Sequence, residues 1–163
     1  MTLTLAPHLF SDVLADLAKA HGLGPLAASA LIDGFSFTPD GPRYQLRPHR
    51  EDPEQAWLEM GVAELDDVLT AQEPAQINRL LRTLLQLNDS LLNEHHWLIS
   101  LDEDEQLVLS SAVSLPGVSA QALQLLALQG LQRAQAIREL CLGLALEPLE
   151  AIPLTIHSHQ QMV

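Results

Sequence analysis

The chain predicts an α+β fold, an antiparallel β-sheet with three main helices in the order helix, strands, helix, hairpin, helix. Three observations carry this. The stretch HWLISLDEDEQLVLSSAVSLPG at 96–117 alternates apolar and polar or small residues on either side of a polar turn, the signature of a β-hairpin. Residues 77–92 repeat leucine at helical spacing, and a second leucine-rich stretch follows Ser119.

The first helix is expected over 7–21. Leu9, Val13 and Leu17 recur every four residues beside Phe10 and Leu14, and Gly22, Gly24 and Pro25 stop it. Residues 30–37 and 43–47 read as two short strands joined by the turn Thr38-Pro39-Asp40-Gly41-Pro42. A third strand over 56–62 is centred on Trp57. Residues 64–69 fit neither period.

Glu73-Pro74 opens the next helix, since proline suits a first helical position. Its stripe is Ile77, Leu80, Leu81, Leu84, Leu85, Leu91 and Leu92, interrupted at Asn88-Asp89-Ser90, where the helix either kinks or ends. In the hairpin that follows, Trp97, Ile99, Leu101, Leu107, Leu109, Val113 and Leu115 form the greasy face. The other face is mixed and carries small residues on the second strand, so the sheet is covered on one side and open or partner-facing on the other. Ser119 caps the last helix, which runs to about Leu142 and is apolar almost all round in its first half. Residues 1–146 form the expected domain. The segment 147–163, with Pro148 and Pro153, is expected to be a partly ordered tail.

Composition narrows the function. A 163-residue chain that is 47% hydrophobic buries a real core, filled by Leu and Ala because aromatics make up only 4%. A formal net charge of −13 argues against nucleic acid or an anionic membrane surface as partner. Arg43, Arg47 and Arg50 cluster and read as a solvated strand edge kept from sticking by charge. The single cysteine, Cys141, excludes an internal disulfide and reads as a buried small hydrophobe. With no leader and no apolar run of about 18 residues, a cytoplasmic location is expected.

Groups for chemistry are sparse. There is no Walker or dinucleotide glycine loop and no G-x-S-x-G. Asp102-Glu103-Asp104-Glu105 lacks the glycine and the glutamate of a calcium loop and reads as a solvated turn. His95-His96 is read as strand, with the two rings on opposite faces. His157 and His159 are read as part of a polar tail, not as a chelate. No catalytic residue, metal or cofactor is expected.

Four stretches carry a resemblance to a known family: LADLAKAHGLGPL at 14–26, AWLEMGVAEL at 56–65, the leucine-rich helix at 77–92, and LISLDEDEQLVLSSAVSLPGVSAQAL at 98–123. Their order resembles that of the class I chaperones of bacterial type III secretion, the CesT or Tir-chaperone type. Two departures are a C-terminal extension after Cys141 and a basic, histidine-containing loop at 48–53. The resemblance implies a homodimer that holds the N-terminal segment of a secreted effector in extended form, keeping it soluble and secretion-competent without ATP. It places the dimer contact on the second long helix and the first hairpin strand, at Ile77, Leu81, Leu84, Leu85, Trp97 and Ile99. The client is expected against the first helix and early strands, on exposed parts of Val13, Leu17, Phe35, Phe37 and Leu46. The alternative is a regulatory or immunity-type adaptor of the same fold that binds one folded partner.

Overall fold

The computed structural model describes residues 6–37 and 43–143. The expected turn at 38–42 and the tail, with His157 and His159, lie outside them. Helix α1 (Ala6–Ala20) buries Phe10, Val13, Leu14, Leu17 and Ala18, the i, i+3, i+4, i+7, i+8 face of an amphipathic helix. Gly22, at φ 71°, ends it. The Gly22 N–H donates to Lys19 O and that of Leu23 to Ala18 O, which satisfies the last carbonyls of the helix.

The strand expected from residue 30 is shorter. Ala30–Asp33 instead form a helical turn, α2, and β1 is only Phe35–Phe37. The reason is local. Ser29 O accepts from the N–H groups of Ile32 and Asp33, and Gly34 then turns the chain at φ 85°. A Cβ there would stand 2.5 Å from Leu46 O, so only glycine lets the chain pass β2 so closely.

Strands β2 (Tyr44–Pro48) and β3 (Gln55–Glu64) follow, then α3 (Leu65–Ala71) over the stretch that fitted neither period. Helix α4 (Pro74–His95) carries Pro74 in its first turn, and the Glu73 N–H donates to the Gln76 side chain at 3.1 Å. Strands β4 (Trp97–Leu101) and β5 (Gln106–Ser114) form the expected hairpin. Ser119 Oγ accepts from the Ala122 N–H at 3.1 Å at the start of α5 (Ala120–Cys141).

The sheet is antiparallel throughout, in the order β1-β2-β3-β5-β4. Phe37, Tyr44, Leu46, Leu58, Met60, Leu109, Trp97 and Ile99 lie in register on its covered face and are buried. Helix α5 lies on this face through Leu123, Ala127, Gly130, Ala134, Ile137 and Cys141, spaced alternately four and three apart. The middle of that row is small because the helix approaches closely. A Cβ on Gly130 would stand 2.3 Å from Met60 Cε and 2.5 Å from the Trp97 ring.

Two further expectations are corrected. Asn88-Asp89-Ser90 does not end a helix; α4 runs through it, and Asn88 works at the sheet edge. His95-His96 is not strand, because His95 closes α4 and His96 takes the left-handed conformation, φ 57°, as its cap.

Gly130→Ala tests the close approach. At an open helical site alanine gains about 1 kcal/mol over glycine. Here overlap with the fully buried Trp97 ring outweighs that gain. Chemical denaturation is expected to show a net loss of about 1–3 kcal/mol, and a more stable Gly130→Ala protein would refute the packing argument.

Candidate partner-binding surfaces

The five residues expected to meet a client are placed mostly in the core. Leu17 and Leu46 are 0% exposed, Phe37 1% and Val13 8%, while Phe35 is half-buried. On α1, Val13 and Leu17 are therefore used up by the chain's own core. The exposed apolar groups lie one step along. Leu31 is 42% and Ile32 77% exposed on α2, beside a cleft of about 340 Å³ between α1 and residues 23–31. Leu14, Ala18, Leu23, Leu26 and Leu31 line it.

Reading residues 30–37 as a strand hid Leu31 and Ile32. The signal that finds them is the Ser29…Gly34 bracket of a single helical turn. Just beyond, β1 is the end strand of the sheet. An aromatic cluster holds it there. Phe37 stacks on Tyr44 with centroids 5.2 Å apart, Phe35 meets Phe37 edge-on, and His21 hydrogen-bonds the Tyr44 hydroxyl at 2.7 Å.

The residues expected at a dimer contact divide into two groups. Trp97 and Ile99 are buried on the covered face of the sheet and pack into the core of the chain. Ile77 and Leu84 are half-buried, and Leu81 and Leu85 are 51% and 70% exposed. Helix α4 carries two adjacent apolar rows. Leu80, Leu84, Leu87 and Leu91 pack inward, while Leu81, Leu85 and Leu92 stand out on the flank.

Between the rows lies Asn88. Its amide accepts from the Ile99 N–H at 2.8 Å and donates to Ile99 O at 3.1 Å, closing part of the outer edge of β4 as a neighbouring strand would. Leu101, 52% exposed, ends the same strand.

The third surface is the uncovered face of the sheet. The arginine cluster there is not a solvated strand edge, because β2 lies between β1 and β3. Arg47 makes a two-pronged pair with Glu59 on β3, Nε to Oε2 at 2.7 Å and Nη2 to Oε1. These hydrogen bonds raise the guanidinium pKa further above its usual value. His49 stacks on Trp57 at 5.3 Å. At the hairpin tip the Asp102 carboxylate accepts from the N–H groups of Asp104 and Gln106, both at 2.9 Å, which orders the acidic turn. Among the described residues, no group of three or more His, Cys, Asp or Glu is arranged to hold a metal, and no helix is long and apolar enough to cross a membrane.

No protein-family model and no curated protein matches the chain by sequence. Solved structures do match. A chain of the ExsC–ExsE complex gives a TM-score of 0.63 at 20% identity, over 84% of this chain and 96% of its own. A chain of the HopA1–SchA chaperone–effector complex gives 0.61 at 16% identity, over 85% and 99%. A chain from the complex of the Yersinia pestis type III secretion chaperone SycH with a stable fragment of YscM2 gives 0.51 at 19%, over 77% and 96%. The fold is that of the type III secretion chaperones.

On this chaperone fold the joint between α1 and β2 is also a titratable one. Burial pushes the Tyr44 hydroxyl up to about 12 and the Cys141 thiol, at the end of α5, up to about 11. Both pKa values are raised above the unfolded ones, about 10 and 8.5, so the folded state favours the neutral forms. Their contribution is fully present below about pH 8.5 and is lost as pH rises through 11 and 12. The urea midpoint is expected to fall from about pH 9 upward, and Tyr44→Phe to flatten the part above about pH 10. An alkaline slope unchanged by that substitution would count against the buried hydroxyl.

Proposed function

We propose that the chain is an escort chaperone of type III secretion, which binds an extended segment of a secreted effector in the bacterial cytoplasm and performs no catalysis. The observation that carries this is the pairing of the chaperone fold with an end strand, β1, set beside the exposed Leu31, Ile32 and the apolar cleft under α1. An extended peptide laid along β1 gains main-chain hydrogen bonds from the strand edge and seats alternate apolar side chains toward α2 and the cleft. Phe35 and its aromatic neighbours hold that edge in place. The complexes in which similar folds were solved, a chaperone–effector pair among them, support the same reading.

The second copy belongs on the opposite side. Leu81, Leu85 and Leu92 form an apolar row on α4 that the described residues leave exposed, next to the edge of β4 that Asn88 closes. A homodimer built on this row lies at the β4 end of the sheet, opposite β1. The charge of −13 keeps an assembly with open apolar surface in solution.

Binding of this kind is passive and needs neither ATP nor metal. Co-expression with a candidate secreted effector is expected to give a complex that survives ATP depletion and EDTA. Ile32→Asp and Leu31→Asp are expected to cost about 1–3 kcal/mol of client binding, roughly 5- to 150-fold in affinity. Both positions are exposed, so the melting temperature should stay near wild type; binding left intact by both substitutions would move the client elsewhere. For the dimer, Leu85→Asp is expected to shift the light-scattering mass from two chains to one, and a monomeric wild type would end the dimer reading.

A further inference from the structure

The apolar cleft between α1 and residues 23–31 is lined by one charged side chain, Lys19. It is also the only lysine in the chain, one of 8 basic residues set against 21 acidic ones. Lys19 is exposed and makes no ion pair with a described residue. Asp16, one turn back on α1, and Asp33, at the end of α2, are exposed too but do not line the cleft. Hydrogen bonding at the helix end leaves the ammonium unclaimed, because the carbonyls of Leu17, Ala18 and Lys19 accept from the N–H groups of His21, Leu23 and Gly22 at 2.9–3.1 Å. Other cations are engaged: Arg47 is tied to Glu59, Arg138 donates to the Val62 carbonyl, and Arg133 lies over Trp97.

We propose that Lys19 selects the client: the segment seated in this cleft carries a carboxylate beside its apolar side chains, and the Lys19 ammonium pairs with it. The proposal deepens the reading of α2 and β1 as the client site and rests on it. A lysine that lines an apolar cleft lays its methylenes along the wall and keeps its ammonium in water at the mouth. A client carboxylate brought there is partly stripped of water by the walls and regains a partner in the ammonium. A client amide meets no opposite charge, and a client lysine or arginine meets a like one. The order of preference at that position is Asp or Glu, then Asn or Gln, then Lys or Arg.

The rest of the chain sharpens the choice. A net charge of −13 repels client carboxylates from most of the surface, so an acidic client residue has few favoured places and Lys19 is one of them. Register follows from the same pairing. Main-chain hydrogen bonds along β1 are alike whichever client residue supplies them, and an extended segment that slips by two residues presents the same face. A single carboxylate held at Lys19 fixes which of these registers is bound.

Selection of random dodecapeptides displayed on phage against the full chain tests it. Wild type is expected to enrich sequences that place Asp or Glu close to large apolar residues. Lys19→Arg should enrich the same sequences, Lys19→Gln should keep the apolar residues and lose the acidic one, and Lys19→Glu should exchange the acid for Lys or Arg. For one enriched acidic peptide, fluorescence anisotropy is expected to show affinity about fivefold weaker with Lys19→Gln and weaker again with Lys19→Glu. Lys19 is exposed, so melting temperatures should stay near wild type. Ile32→Asp separates this proposal from the reading beneath it. If Ile32→Asp abolishes enrichment while wild type and the three Lys19 variants select the same sequences, the client site stands and the role of Lys19 is overturned. Enrichment unchanged by Ile32→Asp removes the site and the proposal together, and a wild type that enriches no acidic residue overturns the proposal alone.

Discussion

The structure depends on how closely α5 can approach the sheet. Where it crosses β3 and the Trp97 ring, the separation leaves room for a hydrogen and not for a methyl group, and Gly130 is the residue at that point. Ala127 and Ala134, one turn to either side, keep the approach shallow along the helix. A glycine in a helix interior costs helix stability. That cost is offset because Met60 and Trp97 fill the space completely, each 1% exposed. Arg133 from the same helix lies over the Trp97 ring, 6.0 Å from its centroid. With Trp97 fixed, the start of β4 and the exit of α4 are fixed with it.

The two ends of the sheet then take different fates. The β4 end is closed from within the chain, since Asn88 on α4 supplies a donor and an acceptor to Ile99. That places α4 alongside the sheet edge, so one apolar row of the helix turns inward and the next is left standing out. At the β1 end no helix of the described residues supplies such a group, and the strand is short, aromatic and pinned by Tyr44 and His21. Under the proposed reading, a closed edge with an apolar row suits a second folded copy, whereas an end strand beside a cleft suits an extended segment.

Charge acts on a longer scale. Three of the eight basic residues lie at Arg43, Arg47 and Arg50, and the central one is paired across the sheet with Glu59. What the sequence shows as a basic cluster is therefore a neutralised pair on the uncovered face with one arginine toward each end. The remainder of the surface stays strongly acidic, which keeps apolar patches on different molecules apart.

The sequence by itself determined the elements whose information is local. Period-two alternation at 97–115 and helical spacing from Ile77 to Leu92 and after Ser119 state both the element and its apolar face, and Pro74 and Ser119 mark helix starts through backbone groups within a few residues. The small residues on the other face of the second hairpin strand were legible for the same reason. Only the tertiary structure decided which apolar residues remain exposed. Val13, Leu17, Phe37 and Leu46 look on paper like Leu31, Ile32, Leu81 and Leu85, yet the first four are buried and the last four exposed. Periodicity reports that a residue lies on an apolar face; whether that face is covered depends on how near a helix from another part of the chain comes. Here that distance is set at Gly130 and Asn88, whose partners, Met60 and Trp97 for one and Ile99 for the other, lie on other elements.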